Sequence, residues 1–512
     1  MAAAAGLSAP RARQRRIGIH PLSRGIRVNH LHRTRSVAAA AMAALWLAGC
    51  ANMQGIDTQA QLRDAPSLGL AAPSESLTPA PDWWAALGDA QLNRLVADAL
   101  AGNPNLRVAA SRVGKARAAQ AIAEAAYAPQ VTGAVDLNRQ SFSSNYIYPP
   151  PLGGSTQTLG NLQINGGWEL DFFGKHEGGL NSAIGQLHAA EAEADAARIL
   201  LATNVVRGYI KWALANDQYV VSERALNQRQ EMLKLVQDRV RAGLDNQLEV
   251  RQNETTRADS RTQMAALQQQ QDAARNALAA LLGQPRLPDD IRPPTLAQFK
   301  TLAVPQQMDA NWLARRADIV AARWRVEAAR GEVQVAKSQF YPNINLAAFV
   351  GFQSLGLGSL LKGDSFQWGV GPAIRLPIFE AGRLRANLGA KTADVDAAIE
   401  TYNATVIDAM RDAADQSQAL RSVDRQRTEQ AQALRAAEGA YDIAQRRYKG
   451  GLGTYLNVLV SETAVLAQRR TQVDLQARAL DAQVGLTQAM GGGWQPSPEL
   501  TPPVPPVASA AR

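Results

Sequence analysis

Cysteine is almost missing from this sequence of 512 residues, because Cys50 is the only one. A single cysteine excludes an intrachain disulfide. Histidine is nearly as scarce: beyond the first 32 residues only His176 and His188 occur, and no metal-ligand spacing surrounds them. The sequence also lacks a Gly-rich phosphate loop and a serine elbow. We therefore predict no metal, no cofactor and no catalytic residue, and an enzyme is the least favoured interpretation.

The apolar run near the amino terminus is short. It covers residues 37–47, which is too few to span a bilayer as a helix. The 49 residues that contain it carry eight arginines, no lysine and no acidic residue. A basic start followed by a short apolar run is typical of a secretory signal, so we predict that residues 1–49 are a signal peptide.

The run ends in the segment 47–50, Leu-Ala-Gly-Cys, which resembles the lipobox of bacterial lipoproteins. The resemblance implies cleavage before Cys50 and anchoring by several acyl chains, whereas a single chain anchors only marginally. Ala51 stands where many such proteins carry an aspartate that signals inner-membrane retention, and this favours the outer membrane. Residues 50–82 would then form a lipid-anchored tether. The alternative is a stray buried thiol.

The net positive charge of the chain comes from the predicted leader. The chain has 54 basic residues, of which eight lie in the leader. The processed chain therefore has 46 basic and 45 acidic residues. The high isoelectric point belongs to the leader, and the rest is nearly neutral. The sequence therefore predicts no nucleic-acid partner.

The chain repeats itself after 208 residues. A period this long indicates a duplicated half-protein and not a solenoid. We predict a first repeat over 83–300, a second over 301–494 and a Pro-rich tail over 495–512. Matching residues of the two halves are Arg239, Gly243, Leu244, Leu248, Val250, Glu254 and Thr255, and Arg447, Gly451, Leu452, Leu456, Val458, Glu462 and Thr463.

Each half contains two segments in which apolar and polar residues alternate, as in strands with one apolar face. We predict β-hairpins over 130–173 and 343–379, the first preceded by helix over 83–127. Two interpretations of these strands are possible: hairpins packed on a soluble core, or strands of a membrane barrel. Polar loops and aromatic residues near the strand ends fit a barrel. The apolar positions are Val131, Gly133, Val135, Leu137, Leu162, Ile164, Gly166, Trp168, Leu170, Phe172, Ile344, Leu346, Ala348, Val350, Phe352, Trp368, Val370, Pro372, Ile374 and Leu376.

The remaining segments predict helix. Residues 175–242 and 383–449 contain no proline, and each would span about 100 Å. Residues 247–282 and 310–340 together match one long helix in length, so we expect this pair to stack end to end. The proline-rich residues 284–309 would be a belt that joins the pair. Long helices alternating with stacked short ones would form the wall of a cylinder.

Four strands cannot close a membrane barrel. An open sheet edge in hydrocarbon leaves unsatisfied backbone groups that each cost several kcal/mol, so a spanning chain must assemble with copies of itself in a closed ring. Two copies would give eight strands and a filled interior, whereas three would give twelve and leave room for a passage. Function as a conduit favours three or more.

Several sequence motifs point to the same protein family. They are Trp83-Trp84, Asn103-Pro104-Asn105-Leu106, Trp168-Glu169-Leu170-Asp171-Phe172-Phe173-Gly174-Lys175, Leu376-Pro377-Ile378-Phe379-Glu380-Ala381-Gly382-Arg383 and Gly491-Gly492-Gly493-Trp494. Across residues 83–494 the chain resembles the TolC-like and OprM-like outer-membrane factors, and most of all the NodT-type efflux lipoproteins. The resemblance implies a mainly α fold with membrane β-strands, in which a homotrimer builds a long α-helical barrel in the periplasm and a twelve-stranded outer-membrane β-barrel.

The resemblance also implies partners and a mechanism. Substrates would pass from an inner-membrane RND-type pump, through a periplasmic adaptor, into a passive duct that is gated at its periplasmic end. The turns 242–246 and 450–454 match the periplasmic tips, so adaptor contacts are expected at Gly243, Leu244, Gly451 and Leu452. A purely structural helix cap explains the glycines equally well. Gate candidates near the tips are Arg239, Arg241, Asp245, Arg447 and Tyr448.

One departure concerns charge at the mouth. Related proteins often carry aspartates one or two turns after the second tip, and here Asn457 and Val460 stand in those places. Glu462, Glu249 or Glu254 could substitute, or the acidic ring could be missing. A non-channel helical lipoprotein, serving as a periplasmic scaffold or adaptor, is the alternative function. An adaptor, however, would be expected to show lipoyl-like β domains and only one helical hairpin.

Overall fold

The computed structural model describes residues 52–63, 79–302 and 311–502. The predicted signal peptide, Cys50 and the last ten residues of the predicted tail lie outside the described residues. The chain divides into two compact units, Met1–Asn52 and Met53–Arg512. The architecture below is that of the second unit.

Two very long helices dominate the secondary structure, as the absence of proline predicts. The predicted segment 175–242 is observed as Lys175–Arg241, and 383–449 is observed unchanged. Each contains 67 residues, or about 100 Å at 1.5 Å per residue. The described helices are α1 (Ala90–Gly102), α2 (Pro104–Ala125), α3 (Lys175–Arg241), α4 (Gln247–Leu281), α5 (Asn311–Ala314), α6 (Ala317–Ser338), α7 (Arg383–Lys449) and α8 (Tyr455–Ala489).

The predicted helical stretch 83–127 is wrong as a single element. It is a short 3-10 helix, Trp83–Leu87, followed by α1 and α2. Two polar side chains interrupt it because each caps the helix that follows: Asp89 accepts from the backbone of Leu92 at 3.0 Å, and Asn103 accepts from Asn105 at 2.8 Å. A proline at the first position of α2 also suits a helix start and not a helix interior.

The predicted stacking partner of α4 is also wrong. The amide of Asn103 donates to the carbonyl of Leu281 at 2.7 Å, so α2 and not the segment 310–340 continues from the end of α4 along α3. Similarly, Arg316 donates to the carbonyl of Ala489 at 3.2 Å, which joins the start of α6 to the end of α8. Each stack therefore lies within one repeat, α2 with α4 in the first and α6 with α8 in the second. The length argument had instead paired α4 with the segment 310–340 of the second repeat.

The four strands form one antiparallel sheet in chain order: β1 (Gln130–Ser141), β2 (Thr156–Leu170), β3 (Asn343–Leu355) and β4 (Phe366–Arg375). Both predicted hairpins are confirmed, and β2 pairs with β3 to join them.

The register brings the predicted apolar positions within the strands to one face, whereas Phe172 and Leu376 lie beyond the ends of β2 and β4. Val135, for example, lies opposite Leu162, which lies opposite Phe352, which lies opposite Phe366. Side chains on this face are exposed to an unusual degree for large apolar groups, with Trp368 and Val131 each 69% exposed. Amides and charged groups dominate the other face. A sheet with a continuous bare apolar face is built to lie against another apolar medium.

The largest buried core lies midway along α3. It joins α1 and the 3-10 helix before it to Val205, Tyr209 and Trp212 of α3, and to α4 and α8. Residues 284–302, the described part of the predicted belt, add Leu287, Ile291 and Leu296. This layer lies over one side of α3 and leaves the ends of that helix to form the tip and the junction with the sheet.

None of the described helices has a stretch that is both long and apolar enough to cross a membrane.

Candidate gate at the paired helix tips

Two helical hairpins end in matching turns. Leu244 donates to the carbonyl of Arg239 and Leu452 to that of Arg447, each at 2.8 Å, which is the six-residue bond of a Schellman cap. Gly243 and Gly451 adopt positive φ angles of 72° and 75°, and a side chain there would be strained. The leucines after these glycines point outward, with Leu244 64% and Leu452 74% exposed. Each tip therefore presents one exposed leucine, at equivalent positions in the two repeats.

Three of the five gate candidates meet in one cluster, which we call the tip cluster: Arg239, Asp245 and Tyr448. Arg239 donates to both carboxylate oxygens of Asp245, at 2.8 and 3.4 Å, and its guanidinium lies 4.7 Å from the centre of the Tyr448 ring. The Tyr448 hydroxyl donates to Asp245 at 2.5 Å. Since Tyr448 lies on α7 and the other two flank the first tip, the cluster ties one hairpin to the other.

The electrostatics of the tip cluster favour the ionised pair. Burial acts to raise the pKa of Asp245, but the hydrogen bonds from Arg239 and Tyr448 and the charge of Arg239 together lower it. Burial and the neighbouring carboxylate raise the pKa of Tyr448, so its hydroxyl keeps its proton and acts as a donor. Charge-assisted bonds of this kind are stronger than neutral ones.

The other two candidates lie apart from the tip cluster. Arg241 pairs with Asp238 on the surface, with 79% of the arginine side chain exposed. Arg447 donates to the carbonyl of Leu452 at 3.2 Å, within its own turn. Both are available to groups outside this chain.

A second layer of buried polar contacts lies deeper in the same seam, between α3 and α8. Arg229 donates to Glu462 at 3.1 Å, to the Ser260 hydroxyl at 2.7 Å and to the carbonyl of Thr256 at 2.7 Å. The Arg229 and Glu462 side chains are 9% and 10% exposed. Burial raises the pKa of Glu462, and Arg229 offsets only part of that effect.

Sequence reasoning missed this ion pair, although a signal for it existed. Glu462 occupies the same 3-4-3 spacing as Tyr455, Val458 and Val465, all of which are buried, so the pattern itself placed a carboxylate in an apolar stripe. Tyr455 adds to the seam by accepting from the Asn253 amide at 2.9 Å.

The idea that Glu462 replaces a missing acidic ring is wrong, because its carboxylate is buried in the seam. Glu249 completes a capping box on the backbone of Asn246, and Glu254 forms an ion pair with Arg251. Asn457 is exposed and Val460 is 62% exposed. The turns after the second tip therefore present neutral side chains.

Comparison with known proteins agrees with this architecture. The model of the outer membrane efflux protein family matches residues 95–284 and 310–492. The fusaric acid resistance protein FusA of Burkholderia cepacia is 38% identical over 364 residues, covering 69% of this chain and 68% of FusA. The pyoverdine export outer membrane protein OpmQ of Pseudomonas aeruginosa is 31% identical over 451 residues, covering 83% of this chain and 92% of OpmQ.

A solved structure shows the same fold. The outer membrane protein VceC of Vibrio cholerae is 34% identical and superposes with a TM-score of 0.76, covering 81% of this chain and all of that one. The duplicated helical hairpins and the four-stranded sheet are thus features of outer-membrane channels. Taken with the family match across both repeats, they show that this chain belongs to the outer membrane efflux protein family.

Proposed function

We propose that three copies of this chain form the outer-membrane duct of a tripartite efflux system. The observation that carries the proposal is the sheet: four strands with one continuous bare apolar face, mounted on two helices of 67 residues. A continuous exposed apolar face marks contact with lipid or with another protein. The family match across both repeats favours lipid. Relatives named for fusaric acid resistance and pyoverdine export support a small organic cargo and not a protein.

The edges of the sheet support the trimer. In the described sheet β1 and β4 each pair on one side only, so their outer edges offer unpaired backbone groups. In hydrocarbon such groups must find partners, and β4 of one copy can pair with β1 of the next. Three copies close twelve strands around a passage, whereas two close eight strands around side chains.

The tips support the gate. The tip cluster and the Arg229–Glu462 pair hold the two hairpins of one chain together, and opening the mouth requires that hairpins separate. Leu244 and Leu452 offer apolar contacts to a periplasmic adaptor, and exposed Arg241 and Arg447 can reach its acidic groups. An adaptor that binds the parted hairpins more tightly than the closed ones would shift the population toward the open state.

The strap formed by residues 54–63 supports a lipid anchor at Cys50. The backbone amides of residues 59 and 60 donate to Asp396 at 3.0 and 3.1 Å. The backbone amide of Arg63 donates to the side-chain oxygen of Asn403 at 3.0 Å, and the Asn403 side-chain amide donates to the carbonyl of residue 61 at 2.9 Å. A chain tied this closely to α7 transmits the pull of an acyl anchor directly to the wall, so we propose that Cys50 is acylated.

To test the trimeric duct and the acylation of Cys50, the protein is purified from membranes, its subunits are counted by native mass spectrometry, and its conductance is measured in planar bilayers. We expect a trimer, acyl mass on the peptide that begins at Cys50, and a small conductance that increases when purified adaptor tips are added. Cys50→Ser removes the acyl mass and should leave the closed ring's conductance intact. A water-soluble monomer with no conductance would refute the duct.

A further inference from the structure

Two motifs from opposite ends of the chain meet at a cavity that the gate does not use. Trp83 and Trp84 open the described helical region, and Trp494 closes it, yet the three indoles gather around one turn of α3. With Asp195 and Arg198 of that turn they line a cavity of about 340 Å³, which is in the usual range for small-ligand sites. We call this cavity, lined by Trp83, Trp84, Trp494, Asp195 and Arg198, the tryptophan pocket.

The loop before Trp494 is shaped for close approach. Gly491, Gly492 and Gly493 all have positive φ angles, of 92°, 58° and 77°. A Cβ atom on Gly492 would lie 2.5 Å from Ile199, and one on Gly493 would lie 2.0 Å from the carbonyl oxygen of Ala80. Only glycine permits this path, which brings the carboxyl-terminal loop, α3 and the Trp83 segment together around the pocket.

The polar groups of the pocket have unused hydrogen-bonding capacity. One oxygen of Asp195 accepts from the indole nitrogen of Trp494 at 2.9 Å. Within the described part of the chain its other oxygen has no hydrogen-bond partner. Arg198, one turn later and exposed, forms no close ion pair with a described residue, although its charge acts to lower the pKa of Asp195. The rings of Trp83 and Trp84 meet edge to face, with centroids 5.9 Å apart at 76°, and Trp84 and Trp494 remain partly exposed.

This combination discriminates between ligand classes. The opposite charges of Asp195 and Arg198 lie one turn apart and largely cancel, so neither a simple cation nor a simple anion is strongly favoured. An apolar molecule would cover the free oxygen of Asp195 without offering it a hydrogen bond. A pyranose ring satisfies every group, because its C–H face stacks on indole, its hydroxyls donate to a carboxylate, and an acetamido or carboxylate oxygen accepts from a guanidinium.

The position along the helix narrows the choice of sugar. Asp195 lies twenty residues beyond the start of α3, or about 30 Å from the sheet. Since the sheet belongs to an outer-membrane channel, the pocket faces the compartment in which the cell-wall glycan is found. We propose that the tryptophan pocket binds a glycan of N-acetylated amino sugars, so that the channel wall is attached to the cell wall.

The test is calorimetric titration of the full-length protein in detergent with chitohexaose, with cellohexaose as the glycan that lacks acetamido groups. We expect chitohexaose to bind and cellohexaose to bind at least about tenfold more weakly. Arg198→Ala should weaken chitohexaose about 10- to 100-fold, since it removes a charged hydrogen-bond donor. Asp195→Asn, which can still accept from Trp494, should weaken binding while leaving the melting temperature unchanged.

A second cavity gives the matched control. It contains Asp424 and Arg427 at the same three-residue spacing on α7, and no aromatic side chain lines it. Arg427→Ala should leave chitohexaose binding unchanged. The proposal is overturned if chitohexaose does not bind, if it binds no better than cellohexaose, or if Arg198→Ala and Arg427→Ala have equal effects.

Discussion

Removal of one hydroxyl from the tip cluster should open the mouth. Tyr448→Phe deletes the bond to Asp245 but keeps the ring, which is 1% exposed and lies 5.8 Å from the Tyr455 ring and 4.7 Å from the Arg239 guanidinium. Packing is therefore preserved, and the change isolates one interaction between the two hairpins. The Asp245 carboxylate also keeps its bonds to Arg239, so no charge is stranded.

The size of the effect follows from the chemistry of the lost bond. A hydroxyl that donates to a partly buried carboxylate contributes about 1.5–3 kcal/mol. If the bond exists only when the hairpins are together, its loss shifts the closed-to-open ratio about 10- to 150-fold per subunit. In planar bilayers the variant should spend a much larger fraction of time in high-conductance states at neutral pH, in the absence of an adaptor.

Tyr441→Phe is the matched control. Tyr441 lies two turns earlier on α7, is half-buried, and makes no hydrogen bond through its hydroxyl to any described residue. This variant should conduct like the unmodified protein. The reasoning fails if Tyr448→Phe stays closed, or if the two variants open the channel to the same extent.

Three further changes probe the tips and the seam between α3 and α8. Glu462→Leu leaves Arg229 buried without its counter-charge and should destabilise the chain by about 3–5 kcal/mol, whereas the double change to leucine at both positions should restore most of the melting temperature in detergent; a double variant no better than the single one would contradict this. Gly451→Ala forces a side chain into a positive φ and should cost about 1 kcal/mol, while Gly450→Ala, at a φ of −78°, should be neutral, and equal melting temperatures for the two would contradict the strain argument. The pKa of Asp245 is lowered in the folded protein. The ionised carboxylate therefore stabilises the closed tip fully above the ordinary carboxyl pKa range, and this stabilisation is lost as the pH falls through the lowered pKa. Conductance should rise only below about pH 4, and Asp245→Asn should abolish that pH step; an unchanged step would assign it to another group.

The sequence revealed the long-range plan because that plan depends on simple patterns. Alternation at Val135, Leu162 and Phe352 determined which side of each strand is apolar, and the observed register places all three on one face. The two long helices were predictable because nothing in them interrupts helix formation. The duplication located the tips, and the tip cluster gathered three of the predicted residues.

What escaped prediction depends on tertiary contacts. The stacking of α2 on α4 is determined by Asn103 meeting Leu281, a contact between residues 178 positions apart. Helix lengths alone could not choose between two partners of similar size. The Arg229–Glu462 pair was missed because a carboxylate on a helix is usually solvated, and only its partner on another helix makes burial tolerable.

The two unpaired margins of the sheet also govern how the protein reaches its membrane. A lone copy that entered hydrocarbon would leave the backbone of β1 and β4 without partners, so the free energy of insertion is unfavourable until neighbours arrive. Insertion and oligomerisation should thus be one kinetic event. For the proposed trimer, this event is third order in chain concentration when the copies arrive independently. Before that event the bare apolar face is an aggregation hazard, so newly exported chains should depend on a periplasmic chaperone that covers it.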